Sequence, residues 1–222
     1  MVAGNHQGNR QGNRNGRLQR RQSADFAFEA ALIAGGRVRI AGVDEAGRGP
    51  LAGPVSAAAV ILDPDNIPAG LADSKTLSEG RREDLFERIC AAAAVSVAFS
   101  SAATIDRVNI RQASLDAMAR ALAGLPVAAD FALIDGRDVP DGLAAEARAI
   151  VGGDGRCLSI AAASIVAKVM RDRLMVRCDP VYSGFGFAGH KGYGTRAHRT
   201  AIAQHGACAI HRMSFAPLSA GN

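Results

Sequence analysis

Ala41-Gly42-Val43-Asp44-Glu45-Ala46-Gly47-Arg48-Gly49-Pro50 is the most informative stretch of this chain. An apolar, β-branched run (Val38, Ile40, Val43) delivers two adjacent carboxylates, and a Gly-Arg-Gly turn ending in Pro50 follows at once. An isolated carboxylate entering a core is costly unless a cation or hydrogen bonds compensate it. Two side by side point to a divalent metal, and the glycines to a backbone that comes close to a phosphate or a sugar. Neighbouring side chains of a regular strand face opposite ways, so Asp44 and Glu45 cannot both turn to one metal from an ideal strand. Either the strand ends or bulges at Glu45, or Glu45 contributes through its backbone carbonyl.

Around this stretch, Arg37 to Val43 reads as a strand and Val55 to Leu62 as its hairpin partner, with Gly53-Pro54 marking the turn. Upstream, Phe26 to Ile33 reads as a short helix ended by Gly35-Gly36. Downstream, Ser78 is placed to cap a helix running to about Ala93, and Val95 to Ser101 reads as a third strand. Thr104 and Asp106 read as a short turn, and Ile110 to Leu122 has helical spacing. Asp130 to Asp135 and Ala147 to Val151 are short apolar strands, and Leu158 to about Arg177 is an Ala-rich helix. Strands and helices intermingle, which fits an α/β or α+β layered structure.

Three of these strands end in an acid at or near glycine: Val43-Asp44-Glu45, Ile134-Asp135-Gly136 and Val151-Gly152-Gly153-Asp154-Gly155. One such ending is ordinarily a turn residue; three together predict a carboxylate cluster at one edge of one sheet. Hard divalent cations relieve the repulsion in such a cluster, and Mg²⁺ or Mn²⁺ suits oxygen donors where zinc would want His or Cys. Asp172 competes with Asp154 as the fourth acid, but between Arg171 and Arg173 on a helix it reads as an ion-pair member.

The net charge of +5 looks like a nucleic-acid signal until it is located along the chain. Arg10, Arg14, Arg17, Arg20 and Arg21 precede the first acid, Asp25; without them the 26 basic residues fall to 21, matching the 21 acids. Residues 1–24, an imperfect Gln-Gly-Asn-Arg repeat, are expected to be a disordered basic tail, either touching phosphates or dispensable. The 222 residues suit one main domain. No apolar run approaches the roughly 20 residues of a membrane span. The start lacks the apolar core of a secretory signal, so a cytoplasmic location is expected. Four scattered cysteines, with no Cys-x-x-Cys, are expected to be free thiols.

Gly42 to Val55, with Asp73-Ser74-Lys75-Thr76-Leu77-Ser78, Leu133-Ile134-Asp135-Gly136, Ser159 to Lys168 and His190-Lys191-Gly192-Tyr193-Gly194-Thr195, resembles the motifs of the ribonuclease HII family, in the family's order and over roughly residues 38–216. The resemblance implies an RNase H-like fold: a central mixed β-sheet flanked by helices over residues 25–178. Residues 179–222 would then be a small helical C-terminal extension carrying the substrate-reading tyrosine. It implies an endonuclease that hydrolyses the RNA strand of RNA–DNA hybrids and cuts 5′ of ribonucleotides embedded in duplex DNA, using Mn²⁺ or Mg²⁺; with no sequence signal for an oligomer, a monomer is expected. The family's acids fall on Asp44, Glu45, Asp135 and Asp154, its sugar-reading loop on Gly47, Arg48 and Gly49, and its tyrosine on Tyr193. Ser74, Lys75, Ser164 and Lys168 match positions near the nucleic-acid backbone. Two departures stand out: Gly152-Gly153 lacks the lysine usual before the fourth acid, and Gly194 replaces the usual proline after the tyrosine. A DNA-only nuclease on the same sheet, or a hybrid-binding module without turnover, are the competing readings.

Overall fold

The computed structural model describes residues 24–221, together with Met1. The expectation for the basic tail therefore lies outside the described residues. Helix α1 (Ala27–Ala34) leads into β1 (Ile40–Ala46) and β2 (Val55–Leu62), followed by α2 (Glu79–Ala92), β3 (Ala93–Ser100), α3 (Ala102–Val108) and α4 (Ile110–Ala123). Then come β4 (Phe131–Asp135), β5 (Glu146–Ile150), the long α5 (Leu158–Cys178), a short α6 (Phe187–His190) and α7 (Arg196–His205). The five strands form one mixed sheet in the order β3-β2-β1-β4-β5. Strands β1, β2 and β3 pair antiparallel, and β4 and β5 join parallel. The hairpin read from the sequence is present, with Asp44 opposite Ala58 and Glu45 opposite Ala57.

Alternation along the central strands sorts the core into two layers. Ala58, Val60 and Leu62 pack under α5 and α2, while Val43, Ala57, Ala59 and Ile134 pack under α4 through Ala117, Met118 and Ala121. Helix α5 is buried all round from Ser159 to Ala167, where it lies between the sheet and α2, and turns polar beyond. Gly42 sets its distance from the sheet, because a Cβ there would overlap the Ser159 and Ile160 backbone.

Two local readings are corrected. The expected turn at Thr104 and Asp106 is helix α3, started by the Ser101 hydroxyl accepting the Thr104 amide at 3.2 Å and held by buried Ala102 and Ile105. Strand β1 begins at Ile40 rather than Arg37, because the Val38 and Arg39 amides donate to the Asp130 carboxylate at 3.0 and 3.1 Å. Ser78 caps α2 as read, accepting the Arg81 amide at 3.3 Å.

Candidate active site

The ladder of β1 with β4 ends at Val43 opposite Ile134, whereas its ladder with β2 runs on to Ala46 opposite Ser56. No bulge is needed at Glu45: β1 stays regular on the β2 side while its β4 side lies open. Asp44 then belongs to the α5 face and Glu45 to the α4 face, and the two converge over the free edge where Asp135 ends β4. Carboxylate oxygens of Asp44, Glu45 and Asp135 lie within 4.8 Å of one another.

Little in the protein neutralises this crowding. Asp44 is buried; burial, then the Glu45 and Asp135 charges, push its carboxyl well above the usual range, against hydrogen bonds from the Glu45 amide (2.7 Å) and Ser164. Burial also raises Asp135, although the Gly153 amide donates to it at 2.6 Å. Glu45 pairs with Arg48 through Oε1 at 3.1 Å, but its buried Oε2 has no hydrogen-bond partner among the described residues. Clustered hard oxygens, one of them buried and unpartnered, fit a divalent cation.

Asp154 stands beside this trio rather than in it. It lies in a 3₁₀ turn (Gly153–Gly155) after β5, where its carboxylate takes the Lys75 ammonium at 3.2 Å. Lys75 thus supplies a positive charge on the side where the sequence lacks its usual lysine. Gly152, at that position, has φ +64, a conformation a lysine would adopt only with strain. Ser74 and Ser164 hydroxyls meet at 2.8 Å, tying the 3₁₀ turn Ser74–Thr76 to α5. Asp172 is an ion-pair member as read, taken by Lys168 at 2.8 Å.

One stripe of α5 reaches from the acids to the tyrosine: Ser164 touches Asp44, and Lys168 and Arg171 lie 5.6 and 5.8 Å from the Tyr193 ring centroid. Tyr193 itself is exposed. Gly47 and Gly49 differ: a Cβ on Gly47, at φ +89, would overlap the Arg171 side chain, while nothing lies within 4 Å of one on Gly49. Internal packing thus accounts for the first glycine, and Gly49 is open to an approaching ligand. Sequence reading missed Arg171 and Arg212, both buried. Arg171 was detectable, since it shares a helical stripe with Ser164 and Lys168; Arg212 lies in a loop with no periodic signal.

The sequence profile described as Ribonuclease HII matches residues 41–218. The chain belongs to the ribonuclease HII family. A ribonuclease HII of Sinorhizobium medicae is 63% identical over 193 residues, covering 87% of this chain and 89% of that protein. One from Agrobacterium fabrum is 59% identical over 194 residues, 87% of this chain and 89% of that protein. Among solved structures, ribonuclease H2 from Pyrococcus horikoshii OT3 superposes with a TM-score of 0.71 at 28% identity, covering 82% of this chain and 96% of that one. The ribonuclease HII of an Archaeoglobus fulgidus complex with PCNA superposes at 0.68 and 30% identity, covering 80% and 95%. The RNase H-like fold expected from the resemblance is therefore present. Membership makes this a type 2 ribonuclease H, a metal-dependent endonuclease of RNA–DNA hybrids. No helix among the described residues is long and apolar enough to cross a membrane.

Proposed function

We propose that the protein also cuts duplex DNA on the 5′ side of an embedded ribonucleotide, leaving 3′-hydroxyl and 5′-phosphate ends, with Mn²⁺ or Mg²⁺ held by Asp44, Glu45, Asp135 and Asp154. The observation that carries this reading is the three-carboxylate cluster with its Glu45 oxygen unpartnered among the described residues, two of its acids, Asp44 and Glu45, lying just before the Gly47-Arg48-Gly49 loop in sequence. When bound, divalent ions supply an activated water for in-line attack and stabilise the departing 3′ oxygen. The chain's own groups do the rest. Asp44 and Asp135 are fixed by the Glu45 and Gly153 amides, so the donor oxygens are aimed before any ligand arrives.

Lys75 and Lys168 offer cationic contacts to the sugar–phosphate backbone, which position a duplex without reading its sequence, while Ser74 and Ser164, buried with their hydroxyls on each other, brace the elements that carry them. The 2′-hydroxyl is the group that separates RNA from DNA, and the open backbone at Gly49 with the exposed Tyr193 ring are the elements suited to sensing it. We assign residues 25–178 to the catalytic domain and 179–222 to a segment that packs on it, and read the protein as a cytoplasmic monomer. One gel decides between readings: all-DNA, hybrid and single-ribonucleotide duplexes incubated with Mn²⁺ or Mg²⁺. Cleavage of the hybrid and of the single-ribonucleotide duplex, with none of the all-DNA, is the expected outcome. Cutting of all-DNA would favour a DNA nuclease, and binding without cutting a passive module.

A further inference from the structure

Arg171 and Arg212 are fully buried, and among the described residues every hydrogen-bond partner of their guanidiniums is a backbone carbonyl. Arg212 donates to Gly47 at 2.6 Å, Arg48 at 2.8 Å and Gly53 at 2.9 Å. Arg171 donates to Pro54 and Lys191 at 3.0 Å and Ala52 at 3.1 Å. Burial pulls both guanidiniums below their usual range, Arg212 to about 9, and an arginine guanidinium keeps its charge inside a protein. A buried charge without a carboxylate persists only where dipoles are fixed around it, so these carbonyls must be held inward.

That constraint has a consequence on the other side of each peptide. In a trans peptide the N–H points opposite to the C=O. With the Gly47 and Arg48 carbonyls turned in to Arg212, the Arg48 and Gly49 amides are turned out, at a place where Gly49 has open space around it. Arg171 fills the space that a Gly47 Cβ would need and also takes the Lys191 carbonyl, two residues before Tyr193. The two loops are further stitched by the Leu51 amide donating to Gly192 at 2.9 Å and the Arg212 amide donating to Leu51 at 2.8 Å.

We propose that Arg212 and Arg171 are positioning residues for sugar discrimination: they lock the Gly47–Gly49 loop and the Tyr193 loop into one preset unit whose outward amides meet the sugar. This rests on the reading of those loops as the ribose sensor. The test compares kcat/KM on a duplex with one ribonucleotide and on the same duplex with a 2′-fluoro nucleotide there, for wild type, Arg212→Met, Arg212→Lys and Arg171→Lys. Mn²⁺ binding by titration calorimetry and thermal unfolding are measured alongside. Lysine keeps the charge but cannot reach three carbonyls. The ribose preference is expected to fall about tenfold or more in Arg212→Met and by less in the lysine variants, with Mn²⁺ affinity held within about twofold. Parallel slowing on both substrates with the preference intact overturns the proposal, as does loss of cooperative unfolding in every variant, which would make the pair purely structural. A wild type without preference is a different failure: it removes the ribose-sensor reading and the proposal with it.

Discussion

Two regions of this molecule place charge in the interior in opposite ways. At the open edge of β1 and β4, Asp44, Glu45 and Asp135 crowd like charges together and leave an oxygen unpartnered among the described residues. Beneath the loops at residues 47–54, every guanidinium nitrogen of Arg171 and Arg212 donates to a backbone carbonyl, six carbonyls in all. The first arrangement suits a divalent cation; the second is held by the fold's own carbonyls. Unsatisfied charge marks where a ligand goes, and satisfied charge marks what holds the ligand's surroundings in place.

If that contrast is right, neutralising one acid should abolish function without harming the fold. Asp135→Asn is expected to reduce hybrid cleavage at least about a thousandfold while leaving metal-free stability unchanged or higher, since it removes a repelling charge. Steady-state assays and chelator-treated melts read the two effects. Touching the arginine region should harm the fold itself. Gly47→Ala must accept φ +89 and displace Arg171, and urea titration should show a loss of about 3 kcal/mol or more.

The two regions should also respond to pH with opposite signs. His211, next to Arg212 and bridged to Ala52 in the arginine region, is pulled from 6.5 down to about 4 by burial and then by the His198 charge. Above pH 6.5 the imidazole is neutral folded or unfolded; as pH falls towards 4 only the unfolded chain takes up the proton, so stability is lost across that window, by at most about 3 kcal/mol. Burial first, then neighbouring carboxylates, raise Asp44 and Asp135, so keeping them ionised burdens the metal-free fold at neutral pH and the burden is relieved as pH falls. Denaturant titrations with chelator between pH 4 and 7 should show an acid loss that shrinks in His211→Asn and grows in Asp135→Asn. Equal slopes in all three proteins would remove the contrast. The smallest effect is expected at Gly152→Lys: about 1 kcal/mol lost to its positive φ, and a metal dependence of cleavage shifted less than about threefold, because Lys75 already faces Asp154.

The acid region was legible in the sequence because it is built from strand ends, and a strand end announces itself by an apolar run stopping at Asp and Gly. The sheet, the capped α2 and the long α5 were legible for the same reason: period and cap residues are local. How Asp44 and Glu45 share a site was not, because the answer lies in β4 stopping earlier than β2 along β1, a property of three strands together. Arg212 was hidden too, since its partners are carbonyls, which every residue carries and no residue name reveals. The placement of Asp154 against Lys75, distant in sequence, belongs to the same class.

Thermal unfolding of wild type and Asp135→Asn, each with chelator and with saturating Mn²⁺, tests the acid edge most directly. Wild type should gain on the order of 2–3 kcal/mol of stability at about a hundredfold excess over the dissociation constant. Asp135→Asn should match or exceed wild type in chelator and gain far less from the metal. A wild type indifferent to Mn²⁺, or an Asp135→Asn variant stabilised by it as strongly as wild type, would contradict the assignment of these carboxylates as a cation site.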